Sequence, residues 1–398
     1  MVPQLEGLNR QPAPTNQRLP LRPMHVAHVI TTLSHGGAET QLLGLCRVQT
    51  SRGIACRVIS LLPLGSLAPK FAEHGIPTMS LDMSRRGVNL RAISILRDAI
   101  QTVDVVHSHM LPANLLARFA TIGMRNKPIL INTAHATKER GVLRNLLFAL
   151  TDHLADHTTN VSQHGLERYR RLRLTSTKRS SWMPNGVDYA EFYFSEEDRT
   201  ALRSELGIER ERFVWLAVGR LSPVKDYPNL LVAFTKLLGH SRNPLLLIAG
   251  DGPERNKLAH MISTLGLEHS VRLLGLRQDI PRLLRTADAL VLSSRMEGLP
   301  MVILEATATE LPIVATRVGG IPEFAKISQN AKLVPPEDPD ALHQAMATMM
   351  DLPKDRLRAL GRMGRQLSEE VFSLPRLADQ WISLYESLLA QSLPNRAS

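Results

Sequence analysis

The sequence has few aromatic residues and few cysteines. Aromatic side chains make up only 4% of the 398 residues, which argues against a surface that binds nucleic acid by base stacking. The two cysteines, Cys46 and Cys56, form no C-x-x-C pair and no other spacing typical of metal ligands. We therefore expect neither a disulfide scaffold nor a zinc site, and a reducing compartment fits this composition.

Long apolar runs are also missing. No stretch approaches the roughly 20 apolar residues that span a bilayer. The first residues are rich in Pro, Gln and Arg and lack the apolar core of a signal peptide. Residues 1–24 are predicted to form a disordered leader. These features predict a cytoplasmic protein that can associate with a membrane only peripherally, at the inner face of the plasma membrane.

Positive charge is in excess. The net charge of +11 favours anionic partners, which include phosphorylated small molecules, nucleic acid and anionic lipid. Part of this charge is concentrated in residues 168–179. Two interpretations are open for this segment: a solvated face of the protein, or a patch that contacts an anionic membrane.

The length and the pattern of apolar residues predict two domains. A chain of 398 residues is long for one core. Short strand-like runs alternate with helical patterns, and the rhythm restarts after a charged segment. We predict an α/β fold of two doubly wound, Rossmann-like domains that face each other across a cleft. The N-terminal domain spans 25–194, a linker spans 195–212, the C-terminal domain spans 213–375, and a helix with tail at 376–398 crosses back to the first domain.

Candidate site residues follow the predicted strands, because ligands of such sheets bind beyond the carboxyl ends of the strands. Gly36 and Gly37 follow the first strand and open a helix, where free N–H groups favour anions. Gly219, Arg220 and Lys225 follow the first strand of the second half. Two cations at a strand end suit a pyrophosphate, although a solvated loop would look the same.

The stretch EGLPMVILEA combines two glutamates with a helix start. Glu297 precedes Pro300, which suits the first helical position, and Glu305 lies on the following turns. N–H groups at Leu299 and Met301 are then free to bind a phosphate. Carboxylates accept hydrogen bonds from hydroxyls. The element therefore predicts a ligand in which a phosphate lies between two polyols, as in a sugar nucleotide.

Histidines and one D-x-D pair could suggest a metal. His107, His109 and His135 all lie at predicted strand ends, but the sequence secures no complete ligand set. A single His135 that positions the reaction centre is the favoured interpretation. Asp338 and Asp340 form the D-x-D pair, and Asp340 is interpreted as a helix N-cap rather than a metal ligand. No metal is predicted.

Seven short motifs occur in the order found in one enzyme family. HGGAE, DVVHSH, TAH, PNGVD, VGRLSPVKD, GDGPE and EGLPMVILEA resemble the corresponding motifs of the retaining glycosyltransferases of family 4, which have the GT-B fold. The resemblance covers roughly residues 25–390, and the pair of glutamates in EGLPMVILEA is its most specific part.

The resemblance implies roles for individual residues. His135 would lie near the reacting sugar carbon, Arg220 and Lys225 would neutralise the donor diphosphate, and Glu297 would hold the hydroxyls of the donor sugar. These four residues are the predicted catalytic group. Glu305 would hold the ribose. The predicted donor-binding residues are Gly36, Gly37, Gly219, Gly298, Leu299, Met301 and Glu305.

The implied activity is transfer of a sugar from a nucleotide sugar to a hydroxyl with retention of anomeric configuration. The resemblance favours a UDP-sugar, leaves GDP-mannose open, and implies a glycan or lipid-linked glycan as acceptor, as in polysaccharide assembly. It implies no cofactor, no metal and no nucleic acid. Two alternatives remain: a sugar-nucleotide 2-epimerase on the same fold, and a non-catalytic protein of this fold that binds a membrane or nucleic acid.

Overall fold

The computed structural model describes residues 23–34, 36–84, 90–135 and 142–396. All but the last two residues of the predicted disordered leader, residues 1–24, lie outside the described residues. The described chain forms two parallel sheets, one in each half. No helix within these ranges is apolar over a length that would cross a bilayer.

The N-terminal sheet has seven strands. They are β1 (His25–Ile30), β2 (Ala55–Ser60), β3 (Thr78–Ser80), β4 (Val105–His109), β5 (Ile129–Ala134), β6 (His157–Asn160) and β7 (Ser180–Trp182). The described helices of this half are α1 (Gly37–Ser51), α2 (Ala68–Glu73), α3 (Leu90–Ile100), α4 (Leu111–Ala120), α5 (Val142–Leu150) and α6 (Gln163–Arg171). The strand order is β3-β2-β1-β4-β5-β6-β7, so the order reverses between β1 and β4.

The second half begins with α7 (Glu196–Glu205) and has six strands. They are β8 (Val214–Val218), β9 (Leu245–Ala249), β10 (Val271–Gly275), β11 (Ala289–Leu292), β12 (Ile313–Thr316) and β13 (Ala331–Val334). The alternating helices are α8 (Tyr227–Thr235), α9 (Arg255–Thr264), α10 (Ile280–Thr286), α11 (Met301–Ala308), α12 (Ile321–Ser328) and α13 (Pro339–Asp351). Two long helices, α14 (Lys354–Phe372) and α15 (Leu374–Arg396), end the chain.

The C-terminal sheet has the order β10-β9-β8-β11-β12-β13 and reverses between β8 and β11. Its strands are short apolar runs such as LLLIA in β9, which is buried at every position. Such runs form in parallel sheets because helices cover both faces. Both sheets are therefore doubly wound, which confirms the predicted fold class.

The predicted linker, residues 195–212, is part of the second half. Helix α7 starts at Ser195, whose side chain accepts a hydrogen bond from the Asp198 N–H at 3.2 Å. Leu202 of α7 is buried in the C-terminal core, together with Tyr189 and Phe192. The predicted boundary at 194 is thus too late, because apolar side chains within a polar segment carry the chain into the second core.

The last helix returns to the N-terminal half. Leu377, Trp381 and Tyr385 of α15 are buried in the same cluster as Val26 and Ile30 of β1. An isolated parallel bridge joins Val187 to Ser373, where α14 gives way to α15. The chain therefore crosses between the halves twice, and the C-terminal helix covers one face of the first sheet.

Candidate active site

Two loops of the C-terminal half meet where the strand order reverses. The loop after β8 contains a 3₁₀ turn, Pro223–Lys225, and the loop after β11 leads into α11. The Ser293 hydroxyl donates to the Lys225 carbonyl at 2.9 Å, and the Arg295 N–H donates to the Val224 carbonyl at 2.8 Å. Such a reversal is where doubly wound sheets bind ligands, so these contacts fix two loops at a binding crevice.

Lys225 and Glu297 form an ion pair in this crevice. Lys225 Nζ lies 2.6 Å from Glu297 Oε1, and the Ser294 hydroxyl donates to the same oxygen at 2.6 Å. The side chains are 21% and 12% exposed, respectively. The pair holds both groups in place, and a diphosphate could replace the carboxylate as the partner of Lys225.

Helix α11 presents its amino end at the same place. Pro300 is the N-cap and Met301 is the first helical residue, so the helix starts one residue later than predicted. The N–H groups of its first turn have no acceptor within the helix and carry a partial positive charge. Leu299 is buried and Met301 is partly buried. The helix start can therefore bind an anion next to Lys225.

Glu305 lies on α11 inside the protein. Its side chain is buried, and its carboxylate has no hydrogen-bond donor in the described part of the chain. Burial, followed by the nearby charge of Glu191, raises the pKa of Glu305 to about 7. A buried acceptor without a donor is costly. Ribose hydroxyls from a bound nucleotide would supply donors.

Gly298 lets the two halves approach each other. A Cβ at Gly298 would lie 2.3 Å from the His135 carbonyl oxygen at the end of β5. The Gly298 carbonyl in turn accepts from the Gly320 N–H at 2.7 Å. Gly319 has φ of +57°, and a Cβ there would lie 2.0 Å from the Glu297 carbonyl oxygen. These close contacts place the Glu297 loop directly beside His135.

The GGAE motif lies opposite the same helix start. Gly36 is the N-cap of α1 and Gly37 its first residue. A Cβ at Gly37 would lie 3.3 Å from Met301 Cγ, so the amino ends of α1 and α11 face each other across the two halves. Two helix amino ends that converge favour negative charge between them.

Further hydrogen bonds tie the halves together around this site. The Asn185 amide donates to the Leu299 carbonyl at 2.8 Å. Glu323, after β12, accepts from the Gln163 N–H at 2.8 Å and from the His164 N–H, both at the start of α6. The site is therefore formed in a closed arrangement in which both halves contribute.

His135 follows β5 and is partly buried. Its Nε2 lies 3.3 Å from His109 Nδ1. Burial lowers the pKa of His135 to about 4, so the ring is neutral near neutral pH. A neutral imidazole accepts one hydrogen bond and donates another, which suits contact with sugar hydroxyls.

The remaining predicted residues occupy less defined positions. Arg220 is exposed and forms no ion pair with any residue of the described ranges. Gly219 lies beside Lys225: a Cβ there would be 3.1 Å from Lys225 Cε. Its carbonyl accepts from the Tyr227 hydroxyl at 3.0 Å. The structure thus brings Lys225 and Glu297 together near the helix start and leaves Arg220 exposed to solvent.

Sequence reasoning missed two residues of this site. Ser294 binds Glu297 directly, and its only signal was its place at a strand end. Glu39 lies in the quoted GGAE motif and is buried, and burial raises its pKa to about 7. A Cβ at Gly36 would lie 2.3 Å from Glu39 Oε2, so the carboxyl group lies against the glycine turn.

The D-x-D pair caps a helix, but through the other aspartate. The Asp338 side chain accepts from the Ala341 N–H at 2.9 Å and is the N-cap of α13. The prediction that Asp340 is the cap is wrong, because Pro339 occupies the first helical position. Asp340 instead pairs with Lys236 on the surface.

One cavity lies away from this crevice. It measures about 780 Å³ and is lined by residues that precede the strands, including Phe213, Ala287 and Pro312. Those residues mark the amino ends of β8, β11 and β12. Ligands of doubly wound sheets bind at the opposite edge, so we assign the candidate site to the crevice around Lys225 and Glu297.

Comparison with known proteins agrees with this geometry. Residues 35–191 match the family described as Glycosyltransferase Family 4, and residues 198–366 match Glycosyl transferases group 1. The UDP-Gal:alpha-D-GlcNAc-diphosphoundecaprenol alpha-1,3-galactosyltransferase of Escherichia coli is 28% identical over 62% of this chain and 66% of its own length. The D-inositol 3-phosphate glycosyltransferase of Corynebacterium glutamicum is 29% identical over 92% of this chain and 91% of its own length.

Solved structures share the fold. Anabaena HepE in complex with UDP superposes with a TM-score of 0.80 and 21% identity, over 92% of this chain and all of that chain. The two matched ranges cover most of both halves and include the residues of the crevice. The chain is an enzyme that belongs to the family 4 glycosyltransferases with the GT-B fold.

Proposed function

We propose that this enzyme transfers a sugar from a UDP-sugar to a hydroxyl of a glycan or lipid-linked glycan, with retention of configuration and without a metal. The observation that carries the proposal is the convergence of Lys225, Glu297 and the start of α11 at one crevice. The cation and the helix end suit a diphosphate, and the two glutamates suit hydroxyls on either side of it. UDP is favoured because the E. coli relative is named for UDP-Gal and HepE binds UDP.

The geometry supports a front-face mechanism. The bond between the anomeric carbon and the β-phosphate oxygen breaks while the acceptor oxygen attacks from the same side. The acceptor proton passes to the departing phosphate, so no protein base is needed. Lys225, Arg220 and the N–H groups of α11 stabilise the charge that grows on the leaving diphosphate. The closed arrangement excludes water that would otherwise take the sugar.

The donor is tested by calorimetric titration with UDP and, separately, GDP. We expect UDP to bind and GDP to bind at least tenfold more weakly, which corresponds to about 1.4 kcal/mol. Preference for GDP would overturn the donor assignment. Failure of both to bind a folded protein would overturn the diphosphate site.

Retention is tested by the slow hydrolysis of a UDP-α-sugar without acceptor. Proton NMR, recorded before the released sugar mutarotates, identifies the first anomer formed. We expect the α-anomer. Initial release of the β-anomer would show inversion and refute the mechanism, while UDP binding would stand.

A lipid-linked acceptor is supported by an exposed apolar face on α5. Leu143, Leu146 and Leu150 are 77%, 53% and 64% exposed, and their spacing places them on one side of the helix. The opposite side carries Phe148, whose ring packs edge-on against Tyr169 of α6 with centroids 5.7 Å apart. Helix α5 therefore packs against α6, which contains the first residues of the basic segment 168–179, and the exposed leucines face away from this contact.

Leucines beside cations suit the surface of an anionic membrane, where apolar side chains enter the headgroup layer and cations bind phosphates. Exposed Arg144 on α5 and exposed Arg171 and Arg173 beyond it supply the charge. We expect the protein to sediment with phosphatidylglycerol vesicles but not with phosphatidylcholine vesicles. The double change Leu146→Ser and Leu150→Ser should abolish sedimentation with phosphatidylglycerol vesicles. The control Leu276→Ser, at an exposed leucine in the other half, should leave it unchanged. Equal loss of vesicle binding in both variants would refute the assignment of α5 as the membrane contact.

A further inference from the structure

Behind His135 lies a buried cluster of polar side chains that the transfer mechanism does not use. His28 of β1 and His107 and His109 of β4 lie on neighbouring strands, with His28 opposite His107 and Ile30 opposite His109. All three rings are buried, and the centroids of neighbouring rings lie 4.1–5.4 Å apart. Buried polar groups of this density require partners.

The cluster forms a continuous chain of contacts that ends at His135. The Gln49 carbonyl oxygen Oε1 lies 2.9 Å from His28 Nε2. His28 Nδ1 lies 3.2 Å from His109 Nε2, and His109 Nδ1 lies 3.3 Å from His135 Nε2. Three imidazoles and one amide thus connect α1 to the residue beside Glu297.

The amide oxygen at one end assigns every proton in this chain. An amide oxygen only accepts, so His28 donates from Nε2 to Gln49, and its Nδ1 is the acceptor for His109. His109 must then donate from Nε2 and accept at Nδ1. His135 must in turn donate from Nε2, which leaves a lone pair on its Nδ1. That nitrogen has no partner among the described residues.

His109 and His135 stay neutral, as the chain of hydrogen bonds requires. Burial lowers the pKa of His109 well below its usual range, and the neighbouring histidines lower it further. Burial also lowers the pKa of His135 to about 4. An imidazolium has no acceptor nitrogen, so one protonated ring would interrupt the chain.

Hydrogen bonds also account for the histidines that are close enough to ligate a metal. The ring nitrogens of His28, His107 and His109 lie within 4.8 Å of one another. His107, however, binds the Tyr385 hydroxyl through Nδ1 and the Thr133 hydroxyl through Nε2, both at 2.7 Å. Both nitrogens of His28 are occupied as well. Every ring nitrogen of these two residues thus has a protein partner.

We propose that Gln49, through His28 and His109, fixes the tautomer of His135 so that His135 Nδ1 accepts a hydrogen bond from a hydroxyl of the donor sugar. Gln49 and the two histidines are positioning residues, and the inference rests on the proposed function for the identity of the ligand. The opposite tautomer would turn a donor toward the sugar hydroxyl and lose the preset acceptor. The chain thereby removes one rearrangement from the formation of the reactive complex.

The first test reads the tautomer directly in the full-length protein labelled with ¹⁵N-histidine. The His135 signals are assigned by their loss in His135→Ala. We expect the proton on Nε2 in the wild type. A proton on Nδ1 would overturn the inference even if the enzyme transfers sugar from UDP donors.

The second test compares turnover with nucleotide binding. Gln49→Met keeps the side-chain length but removes the acceptor, so both tautomers of His135 become populated. We expect kcat with a UDP-sugar to fall about fivefold to tenfold, with UDP affinity unchanged within about twofold. The control is Thr133→Val, which removes a hydrogen bond to His107 in the same cluster but outside the chain.

The outcomes separate the possible causes. A lower kcat in Gln49→Met alone, with both tautomers of His135 populated, would support the proposed hydrogen-bond chain. Equal loss of kcat in Thr133→Val would show that packing is responsible and overturn it. Stoichiometric zinc in the purified protein, lost in a His28 variant, would also overturn it. A wild-type protein that binds no UDP would refute the proposed function. The tautomer measurement would still show whether the hydrogen-bond chain from Gln49 to His135 exists.

Discussion

Replacement of Glu305 by glutamine should stabilise the protein at high pH and weaken nucleotide binding. The structure buries this carboxyl without a donor and raises its pKa from 4.5 to about 7. One pKa unit corresponds to about 1.4 kcal/mol, so ionised Glu305 costs about 3 kcal/mol of folding free energy. Glutamine has nearly the same shape and carries no charge.

The sign follows from proton binding. The folded chain keeps a proton on Glu305 that the unfolded chain releases between about pH 4.5 and 7. The free energy of unfolding therefore falls as pH rises through this window. Glu305→Gln removes that dependence, so we expect the variant to gain up to about 3 kcal/mol above about pH 8 and little near pH 4.

Urea unfolding of both proteins at about pH 5 and about pH 8.5 measures this difference, with Glu167→Gln, at an exposed glutamate, as the control. A hydrogen bond to a charged group contributes about 1.5–3 kcal/mol. Loss of the Glu305 carboxylate should therefore weaken UDP binding at least about tenfold. No gain in stability at high pH would refute the burial of Glu305. Unchanged UDP affinity would refute its contact with the ribose.

Three further predictions concern the crevice. Lys225→Ala should weaken UDP binding about tenfold or more, because it removes the partly buried cation of the crevice; unchanged affinity in calorimetry would exclude Lys225 from the site. Glu297→Ala should abolish transfer while circular dichroism shows a folded protein, and near-normal turnover would contradict its role at the donor sugar. Gly298→Ala places a Cβ 2.3 Å from the His135 carbonyl oxygen, so it should separate the two halves. Small-angle scattering should show a larger radius of gyration and assays a lower kcat; an unchanged radius would contradict the closed arrangement.

The predicted linker, residues 195–212, shows where local sequence patterns fail to predict structure. The alternation of strands and helices was predictable because periodicity and turn residues act over a few neighbours. Helix α7 was not predicted, although Ser195 caps it and Leu202 anchors it. Its few apolar residues are separated by charged ones. Only the facing core shows why that segment folds.

Some features of the candidate site could likewise be predicted from the sequence, and others could not. The glycine turns, the start of α11 and the position of Lys225 after a strand were readable from short motifs, because strand ends and helix starts are local features. The Lys225–Glu297 pair joins residues separated by 72 positions. Its existence depends on the reversal of strand order between β8 and β11, which no local pattern encodes.

The sequence by itself determined the two-domain α/β class and the residues that line the crevice, since apolar periodicity and turn chemistry act along the chain. The tertiary structure alone decided which of those residues are charged, neutral or paired. Glu305 has a raised pKa because packing removes water from it. His28 connects to His135 through His109 because parallel pairing of β1 and β4 brings the two histidines together, and α1 packs Gln49 against His28. Desolvation and register are properties of the assembled core, so they appear only when distant segments meet.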